Sequence, residues 1–152
     1  MSQRPADAGG SRNARLPART FVVNDDETRL LVRRFYEELW NAWDDDAVQD
    51  VLTETFRFRG SLGAETFGCT EWREYRDMVR SASPDFHSEV VALVCEKGRA
   101  AARLTFTGHH LGPLLGVPPT GRSFQYSAAA FLECVDGHIA NTWVLGDVEE
   151  LW

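Results

Sequence analysis

The chain has 152 residues, 43% of them hydrophobic and 26% charged, with a formal net charge of −7. That length fits one globular domain, and the apolar content excludes wholesale disorder. No apolar run approaches the ~20 residues of a membrane span, and the acidic balance argues against nucleic acid as a partner.

The charge is uneven. Residues 1–20 hold Arg4, Arg12, Arg15 and Arg19 against a single acid, Asp7. The segment is rich in Ala, Gly, Pro and Ser and poor in large apolar side chains, so burial cannot repay its ordering entropy. A disordered basic tail is therefore expected over 1–22, without the apolar core of a secretory signal, and a single domain over 23–152. Cys69, Cys95 and Cys134 are far apart and odd in number, with no metal-ligand spacing. This reads as a reduced, cytoplasmic protein with no metal and no organic cofactor.

The first helix starts at Asn24, Asp25 or Asp26, each a good N-cap, and carries an apolar stripe of Leu30, Leu31, Phe35, Leu39, Trp40 and Trp43. The run Asp44-Asp45-Asp46 ends it and caps a second helix through Val48, Val51 and Leu52. Phe56-Arg57-Phe58-Arg59 alternates as a half-buried strand. Gly60, Gly63 and Gly68 interrupt the chain before Thr70, the expected cap of a third helix that ends before Ser83-Pro84. Four strands follow, over about Phe86–Cys95, Arg99–His110, Ser123–Val135 and Ile139–Leu145. An irregular loop precedes the third, and Asp136-Gly137 makes the last hairpin. Helices first and antiparallel strands afterwards predict an α+β fold in which a curved antiparallel sheet packs against three helices.

Alternation along strands selects the chemistry. Leu104, Phe106, Gly108 and His110 share one face of the second long strand, so a group that titrates near neutral pH ends an apolar face. With regular pairing, Asn141, Trp143, Leu145 and Asp147 share a face of the last strand. Asp147 is then a carboxylate beside apolar surface, suited to general acid or base work.

Residues 104–147 carry a resemblance. Thr107-Gly108-His109-His110-Leu111-Gly112, then Gly116-Val117-Pro118-Pro119-Thr120-Gly121, then Asp136-Gly137-His138-Ile139 with Asn141, Trp143 and Asp147 resemble the SnoaL-like polyketide cyclases. The segment Arg34–Asn41 resembles that family's opening helix. The resemblance implies an NTF2-like cone around one deep pocket and a cofactor-independent ring closure of a polyketide-like small molecule by aldol chemistry. It implies Asp147 as general acid/base, His110 as a partner of a carbonyl or enolate oxygen, and a homodimer formed through the outer sheet face. Trp40, Phe58, Trp72, Tyr75, Tyr126, Asn141 and Trp143 are the expected substrate-binding residues. Asn141 stands where the family usually has Glu, and Arg59-Gly60 where it has a polar His-type residue, so polar pocket groups are fewer. That departure keeps open a pericyclic closure directed mainly by shape. An epoxide-hydrolase-like site lacks its acid after Arg103, and a ketosteroid-isomerase-like site would draw on Tyr36 and Asp147. A small-molecule-binding module without catalysis is the competing class.

Overall fold

A computed structural model describes residues 24–151; the expected tail over 1–22 lies outside them. Helix α1 spans Asp25–Arg34. Its cap is Asn24, whose side chain accepts from the Asp26 N–H. Leu31 and Val32 face inward, whereas Leu30, counted above in the apolar stripe, is exposed. The helix then widens into a π-helical segment, Phe35–Asn41, in which Phe35, Tyr36, Leu39 and Trp40 are all buried. Widened helical turns often mark sites where side chains are re-aimed. Asn41 ends the segment by pairing with the backbone of Ser88, donating to its carbonyl at 2.9 Å and accepting from its N–H at 2.7 Å.

Helix α2 is a single turn, Val48–Val51. Strand β1 runs over Leu52–Arg59 and pairs with a short strand, β2, Glu65–Phe67, which the glycines around it conceal in the sequence. Helix α3 covers Gly68–Ala82 and begins two residues before Thr70, with no side-chain cap. Strands β3 (His87–Glu96), β4 (Arg99–His109), β5 (Ser123–Val135) and β6 (His138–Gly146) follow. A 3₁₀ turn, Val148–Leu151, closes the described chain.

The six strands lie in the order β2-β1-β6-β5-β4-β3. Four of the pairings are antiparallel, but β1 and β6 run parallel, so the sheet is mixed and not the wholly antiparallel one expected. The concave face of β4 and β5 carries Ala100, Ala102, Ala128 and Ala130 at one end, all buried, and Phe106, Phe124 and Tyr126 at the other. Small side chains let α1 approach the sheet; large ones hold the layers apart where the cavity lies. Phe35, Trp40, Phe56, Phe58, Trp72 and Tyr75 form a continuous aromatic cluster between α1, α3 and β1, with centroids 5.4–6.5 Å apart and mostly tilted or edge-on.

Candidate active site

The cone encloses a cavity with ≈ 50 Å³ of free space. Helical side chains Tyr36, Trp40 and Tyr75 meet strand side chains Phe58, Phe106 and Tyr126 across it. Leu62, Leu114 and Leu151 complete the wall from a loop, a second loop and the closing turn. That volume has room for no more than a few water molecules and falls short of the ~300–1,000 Å³ typical of small-ligand sites. A ring-sized ligand would fit only with a rearrangement of these side chains or loops.

His110 stands at the wall, 1% exposed. Its alternation with Leu104, Phe106 and Gly108 holds as the sequence predicts: all four face the concave side. The main chain there is tied to the loop that follows. The His110 N–H donates to the Arg122 carbonyl at 2.9 Å, and the Gly121 N–H donates to the His110 carbonyl at 2.8 Å. On the ring, Nδ1 lies 3.2 Å from Thr120 Oγ1 and 3.3 Å from the Thr120 backbone N. Gly108 packs closely beside it: a Cβ there would sit 2.4 Å from Ser83 Oγ and 2.7 Å from Phe124 Cζ, so these side chains would have to shift to admit one.

A second polar station is built from tyrosines. The Tyr126 hydroxyl and Ser61 Oγ are 2.9 Å apart, and burial pushes the Tyr126 phenol up to about 12. Tyr75 is raised further, first by burial and then by the neighbouring Tyr126. Tyr36 is raised by burial alone, and its buried hydroxyl has no hydrogen-bond partner among the described residues. All three phenols stay neutral at ordinary pH and present O–H donors inside an apolar wall. No Asp, Glu, Lys or Arg lines the cavity among the described residues.

Of the site residues expected from sequence, Trp40, Phe58, Tyr75, Tyr126 and His110 line this cavity. Trp72 does not: it is fully buried behind the wall, packed on Phe35, Trp40 and Phe56. Asn141, Trp143 and Asp147 are corrected more strongly. Ile139 faces the core, but the pairing of β5 with β6 slips between Glu133 and Cys134. After that bulge Thr142 and Val144 point inward, whereas Trp143 and Leu145 are 41% and 55% exposed on the convex face. One extra residue reverses the two faces of a strand. Trp143 pairs with Phe131 there, and Arg59 stacks on its ring while donating to the Val144 carbonyl. Arg57 lies over Phe67 on the same outer side.

Asp147 follows the end of β6. Its N–H donates to the Ser127 carbonyl at 2.9 Å, and its side chain is exposed outside the cavity wall. The burial on which its expected role rested is absent, and the isomerase-like pairing of Tyr36 with Asp147 is lost with it. Tyr36, weighed above only for that pairing, is a cavity residue in its own right. Its signal in the sequence is a hydroxyl set among the apolar positions Phe35, Leu39 and Trp40. Ser61 carried no signal, being one of several small residues in a turn.

Residues 30–151 match the family model described as SnoaL-like polyketide cyclase. The chain belongs to the SnoaL-like polyketide cyclase family. Its architecture is the NTF2-like α+β cone of that family. Among solved structures, TsrD from Streptomyces laurentii is similar at 26% identity and a TM-score of 0.75, covering 85% of this chain and 94% of that one. AclR from Streptomyces galilaeus, assigned as a hydroxylase, matches at 25% identity and a TM-score of 0.71, over 84% of this chain and 80% of that one. A SnoaL-like protein from Jannaschia sp. CCS1 shares the fold at 21% identity and a TM-score of 0.76, with coverages of 84% and 90%. No curated protein matches. No helix among the described residues is long and apolar enough to cross a membrane.

Proposed function

We propose that this cyclase-family member closes a ring in a mostly apolar, polyketide-like chain, and that it does so with neutral hydrogen-bond donors and the shape of the cavity. The observation that carries this reading is the lining itself: aromatic walls, three neutral tyrosines and a buried His110, with no carboxylate among the described residues. Apolar walls fold a flexible chain so that its reacting carbons meet, which removes much of the entropic barrier. His110 and the Tyr75–Tyr126–Ser61 group hold carbonyl oxygens and stabilise charge that builds on them.

Two bond changes fit these parts. In an aldol closure one C–C bond forms within the chain, and the proton lost from the nucleophilic carbon ends on the attacked carbonyl oxygen. In a pericyclic closure π bonds become σ bonds with no proton moved. We favour the second, because an aldol step needs a base to take the first proton, no carboxylate faces the cavity among the described residues, and the imidazole there, His110, has its Nδ1 turned to Thr120. No metal or organic cofactor enters this reading. A second copy docking on the convex face, through Phe131 and Trp143, completes the proposal.

The test is turnover of cyclisable polyketide esters and polyenes by the purified protein, followed by mass spectrometry and a pH–rate profile. Ring closure of a polyene with a flat profile, weakened about ten-fold by His110→Phe, is the expected result; the loss corresponds to one hydrogen bond. A steep acidic or basic limb restores acid/base chemistry. Tight binding of these compounds without conversion makes the domain a carrier.

A further inference from the structure

The loop that carries Pro118 and Pro119 does more to His110 than hold its backbone. Two donors of one residue, Thr120, converge on a single ring nitrogen. The Thr120 backbone N lies 3.3 Å from Nδ1 with its hydrogen directed at it, and Thr120 Oγ1 lies 3.2 Å away. A backbone N–H can only donate, so Nδ1 is an acceptor and carries no proton. The hydroxyl agrees: Thr120 Oγ1 accepts from the Arg122 N–H at 3.3 Å, which leaves its own hydrogen for Nδ1. In a neutral imidazole whose Nδ1 accepts, the proton sits on Nε2.

The ring has little freedom to exchange these roles. Its residue is 1% exposed, and the main chain on both sides is tied to the same loop by the bonds to Arg122 and Gly121. The two prolines ahead of Thr120 narrow the loop's conformations through their fixed φ. Leu114 and Val117 pair with each other in both directions at 3.0 and 2.9 Å, closing the stem of the same loop. The arrangement is thus built before any ligand arrives.

We propose that Thr120 is a positioning residue that fixes His110 as the Nε2–H tautomer, so that the imidazole meets its ligand as a donor to oxygen and not as a base toward carbon. The tautomer follows from the loop geometry; its catalytic consequence rests on the reading that the ring closes in this cavity. A donor fixed in this way serves a carbonyl whose oxygen gains negative charge. It cannot abstract the proton that starts an aldol step unless the ring first exchanges its tautomer and breaks the Thr120 contact.

The experiment is ¹⁵N NMR of the full chain labelled at its histidine rings, without ligand, at a pH where His110 is neutral, with assignment by His110→Phe. The expected spectrum has a protonated, pyrrole-type Nε2 and an unprotonated, pyridine-type Nδ1. A neutral ring protonated at Nδ1 overturns the proposal outright. Thr120→Val removes the hydroxyl and keeps the N–H. It should shift the Nδ1 resonance and lower kcat about ten-fold with little change in KM, the loss equivalent to one hydrogen bond. Thr120→Ser should restore both. An unchanged kcat in Thr120→Val with an altered Nδ1 resonance overturns the catalytic half. Wild-type turnover by His110→Phe would instead end the cavity reading, and the tautomer would still be decided by the spectrum.

Discussion

Replacing Tyr36 by Phe should make the protein more stable. The residue is 2% exposed, and its hydroxyl is buried without a partner among the described residues. Leaving a buried hydroxyl unsatisfied costs about 1–3 kcal/mol, whereas an apolar group of the same shape avoids that cost. The ring keeps its edge-on contact with Phe35 at 5.0 Å. Against the gain stands the loss of one oxygen's packing contacts, a few tenths of a kcal/mol. The net expectation is about 1 kcal/mol of stabilisation, which for a chain of this size raises Tm by about 2–4 °C. Thermal and urea unfolding of the two proteins measure it directly. The same change should weaken binding of a carbonyl-bearing ligand if Tyr36 donates to it, so stability and affinity move in opposite directions. A Tyr36→Phe protein that loses 1 kcal/mol or more would refute the reasoning, because the hydroxyl would then have a favourable partner in the free protein.

Other expectations follow from the same geometry. Asp147→Asn should leave stability within about 0.5 kcal/mol, as for a surface change, and turnover within about two-fold, because the side chain is exposed outside the cavity; a hundred-fold loss of kcat would return the acid/base role to it. Gly112→Ala places a Cβ 2.6 Å from the Ser81 carbonyl oxygen and should cost about 1–3 kcal/mol in urea unfolding, since backbone must move to admit it. The hydrogen bond from the buried Arg76 guanidinium holds the Asp45 carboxyl below the usual carboxylate range. A depressed carboxyl stabilises the fold above its unfolded value of ~3.9 and loses that contribution as pH falls through the folded value. Asp45→Asn should therefore lower Tm at neutral pH and shrink the further loss of stability on going below pH ~4. Trp143→Glu should shift sedimentation from a dimer to a monomer while leaving the cavity intact. A monomeric wild type removes the proposed interface.

The architecture was largely legible along the chain, and for local reasons. Asn24 before three acids and an apolar stripe marks a helix start, and Ser123–Val135 alternates so regularly that its strand has the expected ends. On β4 the alternation also placed His110 on the concave face, because no bulge in its pairing with β5 lies between Arg99 and His109. The loop from Gly116 to Gly121 could be seen as a family feature, but its grip on the Nδ1 of His110 could not.

What the sequence determined by itself is the set of local choices: where helices cap, which residues alternate, and which family the motifs resemble. Only the tertiary structure decided which face of β6 looks inward. Both faces of that strand offer large apolar residues, Ile139 and Val144 on one side and Trp143 and Leu145 on the other. A bulge opposite Glu133 and Cys134 settles the choice, and it depends on pairing between strands rather than on either strand alone. That single register step carries Trp143 to the convex face and turns the expected acid/base site into a cavity of neutral donors, with Asp147 outside it.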